Sequence, residues 1–150
     1  MLRIRQAERA DVPQIVALLY DDPQGSIRED LSDAALPRYL AAFDEMGQDD
    51  NCTLLIADFD GQIAGYLQMN VIAGLSHRGT RRCLIEDIRI AADRRGQGYG
   101  RQLLQAALRR AAEQGCGLAE LFAHTARDEA RAFYLANGFT GDHHGFRRTL

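Results

Sequence analysis

The chain has 150 residues, 46% of them hydrophobic, and a formal net charge of −3 at pH 7. That length suits one globular domain with a proper core, and the slightly acidic balance gives no reason to expect a nucleic-acid partner. The charged start Met1-Leu2-Arg3-Ile4-Arg5 precedes no long apolar run, so neither a signal peptide nor a membrane span is expected.

In chain order, residues 2–6 read as a strand and residues 12–20 as a helix with Asp11 as its N-cap. Asp21-Asp22-Pro23-Gln24-Gly25 carries turn chemistry. A second helix is expected from a cap at Ser32 to about Met46, where Gly47 stops it. Residues 53–57 and 63–71 read as strands joined by a hairpin turn at Asp60-Gly61. Residues 74–82 form a basic loop with His77, Arg78, Arg81 and Arg82. The apolar, β-branched run 83–90 reads as a central strand. After a glycine-rich loop, a helix runs to about Gln114 and is closed by Gly115. A strand at 118–123, a helix at 126–137 stopped by Gly138, and terminal strands at Phe139 and 146–150 complete the chain. No repeat or linker interrupts it, so a single domain spanning 1–150 is expected, α+β in class with a central βαβ unit.

Cys52, Cys83 and Cys116 are odd in number, far apart and without metal spacing; Cys52 and Cys83 fall inside apolar strand patterns and read as ordinary buried thiols, and a cytoplasmic protein with no bound metal is expected. The tandem His143-His144 between Gly141 and Gly145 is a poor chelator of one metal and reads as a solvated turn. Residues 21–50 hold nine acids against Arg28 and Arg38, and all 18 Lys-plus-Arg positions are arginine.

The sharpest local signal is Arg94-Arg95-Gly96-Gln97-Gly98-Tyr99-Gly100, between the strand at 83–90 and a helix whose Leu103, Leu104, Ala107, Leu108 and Ala111 recur at helical spacing. Glycines turn the backbone tightly and leave its N–H groups uncovered, and the helix start adds unpaired N–H groups and a positive dipole end. Strand, glycine loop and helix start form an anion cradle suited to a diphosphate, and the neighbouring arginines add matching donors. The dinucleotide fingerprint is excluded, because Arg101 or Leu103 stands where its third glycine is needed, and no Gly-Lys-Ser/Thr ending marks a P-loop.

What the loop does match is Arg-x-x-Gly-x-Gly, as Arg95, Gly98 and Gly100. With Ile88-x-Ile90 before it, it resembles the acyl-CoA-binding segment of the GCN5-related N-acetyltransferases (GNAT). The run from Ala130 through Tyr134 to Gly138-Phe139 is similar to that family's Ala-x-x-x-Tyr-x-x-x-Gly-Phe segment, and the opening Ile4-Arg5-Gln6-Ala7 with the helix after Asp11 fits as well. The resemblance covers nearly the whole chain in order. It implies the acyl-CoA N-acyltransferase fold: a mixed, mostly antiparallel sheet of six or seven strands with four flanking helices and a splayed parallel strand pair. Acetyl-CoA would be the co-substrate. Its pantetheine would bond the main chain near Ile88, Arg89 and Ile90, and its diphosphate would meet Arg95, Gly96, Gln97, Gly98, Tyr99, Gly100 and Arg101.

Transfer of an acetyl group to an amine needs a base, since ammonium groups are mostly protonated at pH 7, and a proton for the leaving thiolate. Glu86 is the candidate base. Glu86-Asp87 resembles the Glu-Asp pair of polyamine acetyltransferases in the family, and partial burial would raise its pKa toward that task. The bland alternative is an ion pair with Arg82 or Arg89. Strand alternation sends Glu86 and Asp87 to opposite faces. Tyr134 is the candidate acid by resemblance, with core packing as its alternative. Arg127 stands where many members carry an asparagine, and is a candidate contact to a cofactor phosphate.

The expected activity is acetyl-CoA-dependent N-acetylation of a primary amine on a small molecule, by direct attack. A protein N-terminal acetyltransferase and a non-catalytic acyl-CoA-binding regulator are the alternatives, and dimers are frequent in the family. The acidic 21–50 segment favours a cationic acceptor, whereas His77, Arg78, Arg81 and Arg82 offer an anion clamp.

Overall fold

The computed structural model describes residues 1–150, which divide into two compact units, Met1–Glu120 and Leu121–Leu150. The first is built on a five-stranded sheet in the order β1-β2-β3-β4-β5, with β1 Leu2–Gln6, β2 Cys52–Phe59, β3 Gln62–Ile72, β4 Arg81–Ile90 and β5 Cys116–Leu121. The first four strands pair antiparallel, and β4 and β5 form the parallel pair. A parallel neighbour requires a crossover, and the long helix α5, Tyr99–Glu113, provides it. The other helices are α1 Val12–Tyr20, α2 Gly25–Arg28, α3 Leu36–Met46, α4 Ser76–Gly79 and, in the second unit, α6 Asp128–Ala136.

The two faces of the sheet follow from period-two alternation. Ile56 and Tyr66 stand opposite each other on β2 and β3 and bury against Ile15 of α1. Leu55, Leu67, Met69 and Ile85 bury on the opposite face, and α5 buries Leu103, Leu104, Ala107 and Ala111. The register slips between Ala57 and Asp58, where Ala64 is an extra residue on β3, and this brings Ile63 round to the Tyr66 cluster.

Asp11 departs from its expected role. Its backbone is helical (φ −78°, ψ −18°), and its side chain makes no cap hydrogen bond. Arg5 claims the carboxylate instead, with Nη1 to Oδ2 at 2.8 Å and Nη2 to Oδ1 at 3.0 Å, and Glu8 N–H donates to it at 2.7 Å. Arg5 Nε also donates to Asp58 Oδ2 at 2.8 Å, so one guanidinium ties β1, β2 and the start of α1 together.

The expected turn at 21–25 leads directly into the one-turn helix α2. Asp22 Oδ1 accepts the N–H groups of Gln24 and Gly25 at 2.9 and 2.7 Å. Gly25 is required by close approach: a Cβ there would stand 1.8 Å from the Leu19 carbonyl oxygen. α3 begins at Leu36 rather than after Ser32, because Asp30 holds Ser32 N–H at 2.8 Å in a turn and Pro37 takes a first-turn position. Gly47 ends α3 without a left-handed conformation (φ −66°). The Asp60-Gly61 hairpin forms as expected, with both residues at positive φ. The basic loop contains α4, with His77 and Arg78 both left-handed, and β4 begins at Arg81.

In the second unit, α6 ends where Gly138 turns at φ +89°. Tyr134 is its one buried apolar side chain, flanked edge-on by Phe133 and Phe139. The expected strands at Phe139 and 146–150 do not form, so the sheet has five strands rather than six or seven. The alternation that suggests a strand supplies no partner for its hydrogen bonds, and Phe146 is 95% exposed.

Candidate active site

β4 carries the central irregularity. Glu86 stands opposite Gln68 and Arg89 opposite Tyr66, so β4 holds one residue more than β3 across this step. Asp87 adopts φ +55°, a left-handed bulge that Asp tolerates better than most residues. Because Tyr66 and Gln68 are two apart, Glu86 and Arg89 share their face, three positions from each other instead of two or four. Asp87, Cys52 and Glu86 all act electrostatically on Tyr66. Burial first, then these neighbours, push the Tyr66 hydroxyl well above the ordinary tyrosine range, so it stays protonated.

The result is a polar strip on an otherwise apolar face. Cys52 pairs with Asn70 across β2 and β3, Gln68 Nε2 donates to Asn70 Oδ1 at 2.9 Å, and Gln68 pairs with Glu86. Glu86 is half-buried in this strip. The signal was present in the alternation Tyr66-x-Gln68-x-Asn70, which puts three polar groups on one side of a strand whose other side is Leu67, Met69 and Val71. Burial pushes the Cys52 thiol up, and Cys83 is pushed up to about 11 by burial, so neither is an activated thiolate.

Arg89 and Asp22 form an ion pair at 3.0 Å with side chains only 13% and 12% exposed, which joins the turn after α1 to β4 just past the bulge. Arg89 Nη1 also donates to the Ile88 carbonyl at 3.0 Å. Near by, Arg28 has its guanidinium pKa raised by hydrogen bonding to Glu29 first, and further by Asp87 and Asp22.

Beyond the end of β4, Gly96 and Gly98 take φ +75° and +79°, and a Cβ on either would meet nothing within 4 Å. Conformation rather than crowding demands glycine here, and the outer side of the loop is open, as a diphosphate requires. Gly98 is the N-cap of α5 and accepts the first helical bond from Gln102 N–H at 3.1 Å. Gln97 Nε2 donates to the Asp93 carbonyl at 3.1 Å and Arg95 Nε to the Ile90 carbonyl at 3.2 Å, bracing the loop. Arg101 is exposed in the first turn of α5. Tyr99 stacks on Phe59 at 5.9 Å, with Arg94 4.7 Å above the same ring. Arg94 and Tyr99 thus both pack on Phe59.

Two of the four basic residues outside this site are engaged elsewhere. Arg81 Nη1 donates to the Gln114 carbonyl at 2.8 Å, and Arg82 pairs with Glu120 at 3.3 Å. In the second unit, Arg127 is half-buried at the N-terminal end of α6, and its N–H donates to the His124 carbonyl at 2.9 Å. No group of three or more His, Cys, Asp or Glu side chains is placed to hold a metal ion, and no helix is long and apolar enough to cross a membrane.

A mixed sheet with one parallel strand pair, a bulged β4 and an open glycine loop at a helix start defines an acyltransferase of the acyl-CoA N-acyltransferase fold. A profile described as the acetyltransferase (GNAT) family matches residues 14–139, and the chain belongs to that family. A crystal structure of a transcriptional regulator from Bacillus halodurans C-125 is similar at 35% identity and TM-score 0.97, covering 100% of both chains. Glucosamine-6-phosphate N-acetyltransferase from Arabidopsis thaliana matches at 17% identity and TM-score 0.81, over 99% of this chain and 98% of that one. A predicted acetyltransferase with acetyl-CoA from Clostridium acetobutylicum matches at 18% identity and TM-score 0.75, over 98% and 96%. No curated protein matches the chain.

Proposed function

We propose that the chain is a cytoplasmic, single-domain, acetyl-CoA-dependent N-acetyltransferase whose acceptor is a small cationic primary amine. One juxtaposition carries this reading: β4 presents Glu86 in a polar strip at its bulge and then runs into the open Gly96–Gly98 loop at the start of α5. Bound acetyl-CoA supplies an acetyl group activated as a thioester. The amides of the loop and of the first turn of α5, with Arg95 and Arg101, would hold its diphosphate. The Ile88–Ile90 main chain would hold the pantetheine, and Arg127 is a further phosphate contact.

Glu86 takes a proton from the acceptor ammonium, directly or through water, leaving a neutral amine to attack. Tyr134 gives a proton to the departing sulfur, a role it takes from the Ala130–Phe139 segment shared with the family. Attack is direct, as the family resemblance implies, and burial, which pushes the Cys52 and Cys83 thiols up, does not favour either as a covalent acyl carrier. Cationic specificity is supported by charge. Asp22, Glu29, Glu86 and Asp87 outnumber Arg28 and Arg89 around the bulge, while Arg81 and Arg82 of the rival anion clamp are engaged elsewhere.

The test is a panel of monoamines, polyamines, amino acids and aminophosphonates with acetyl-CoA, read by product formation. Turnover of di- or polyamines is expected, and Glu86→Gln should lower kcat by about 100-fold while leaving thermal stabilisation by acetyl-CoA intact. Preferential turnover of anionic acceptors would overturn the cationic assignment alone. A second reading, an acyl-CoA-binding regulator, is favoured by the description of the 35% identical Bacillus halodurans protein as a transcriptional regulator. Stabilisation by acetyl-CoA with no turnover of any amine or N-terminal peptide would select it.

A further inference from the structure

We propose that a cavity at the start of β2 binds a free α-amino acid with an apolar side chain. Because β2 and β4 both run antiparallel to β3, this is the end of the sheet away from the Gly96–Gly98 loop. β1 ends at Gln6, opposite Leu55, so Cys52 and Thr53 run on past it. The turn between α3 and β2 borders the gap. It is held by Asp49, whose Oδ1 accepts the Asn51 N–H at 2.9 Å and whose carbonyl accepts the Cys52 N–H at 3.0 Å. The cavity left there has a volume of about 320 Å³. Small-molecule sites run from roughly 300 to 1,000 Å³, so this one suits a single small metabolite rather than a nucleotide.

The polar wall of the cavity is unfinished. Thr53 is only 5% exposed, and its hydroxyl makes no hydrogen bond within the chain. Arg110 of α5 lines the same cavity with its Nε buried and without a partner, and no ion pair engages its guanidinium. Buried polar groups are nearly always hydrogen-bonded, and a guanidinium fork beside a hydroxyl matches a carboxylate. Asp49 and Asp50 stand exposed on the rim. With two carboxylates against one guanidinium the cavity is net negative, which disfavours a plain anion, while a plain cation would leave Arg110 unmet. A zwitterion answers both, its carboxylate toward Arg110 and Thr53 and its ammonium toward Asp49 and Asp50. Phe43, Met46 and Leu54 supply the apolar surface for its side chain. None of these residues has a part in the acetyl transfer proposed above, so the inference stands apart from that reading.

The test is titration calorimetry of the whole protein with L-leucine, L-methionine and L-phenylalanine. At least one should bind in the millimolar range or tighter. Its methyl ester, which lacks the carboxylate, and its N-acetyl derivative, which lacks the ammonium, should each bind about tenfold more weakly or worse. Arg110→Gln should weaken the amino acid by a similar factor with an unchanged circular dichroism spectrum. If Arg110→Gln does not fold, the two derivatives decide on the unaltered protein. Glu86→Gln should bind the amino acid as the unaltered protein does, which separates the cavity from the acceptor site. No binding of any of the three amino acids, derivatives that bind as tightly as the parent compound, a folded Arg110→Gln protein with undiminished affinity, or loss of binding in Glu86→Gln would each overturn the proposal.

Discussion

Arg5 shows how much one side chain decides. Its guanidinium holds Asp11 with two hydrogen bonds and Asp58 with a third, and hydrogen bonding to Arg5 is the first cause of the lowered pKa of both carboxylates. A carboxylate whose pKa is depressed by folding contributes stability that is complete above its unfolded value, near 4, and is lost as pH falls through the native one. Asp11→Asn should therefore cost about 2 kcal/mol at neutral pH and flatten the acid limb of the stability profile below about pH 4, as followed by urea unfolding. An unchanged acid limb would mean that Asp11 is not linked to folding. The residue was legible as an N-terminal helix signal, but its partner was not. Asp11 lies six residues from Arg5 and Asp58 lies 53 away, and only the pairing of β1 with β2 brings the three together.

At the scale of the element, β4 is the informative strand. Its apolar pattern and its place before the glycine loop were readable, and so was the loop, because positive φ at Gly96 and Gly98 is a local demand that only glycine meets cheaply. The bulge was not readable. Period-two alternation assumes an unbroken strand, and nothing in Glu86-Asp87-Ile88 announces an extra residue, since Asp adopts the left-handed region by tolerance rather than by preference. Two replacements test that account. Asp87→Gly should leave stability within about 1 kcal/mol of the parent, whereas Asp87→Val should lose about 2 kcal/mol, because a β-branched side chain clashes at φ +55°. Denaturant midpoints with a common slope would read both. Equal losses would show that the charge of Asp87, not its backbone, is what matters.

For the whole molecule, burial is unevenly shared. Every buried apolar side chain except Tyr134 lies in Met1–Glu120, concentrated on β2, β3, β4, α1 and α5. Protection against hydrogen exchange follows buried packing, so amides of β2 and β3 should be the slowest to exchange, and those of α6, Asp128–Ala136, clearly faster. Equal protection would make α6 part of the same cooperative core. The sequence by itself determined the class of fold, the order of most of its elements and the glycine loop, because helical spacing, β-branched runs and glycine turns are local properties of a few neighbouring residues. Only the tertiary structure decided that Glu86 and Asp87 act on the same tyrosine, that Asp22 pairs with Arg89, that Arg81 and Arg82 are committed away from the site, and that the last twelve residues form no strand. Each of these depends on which strand lies beside which and in what register, and chain neighbours do not encode a partner brought in from far along the sequence.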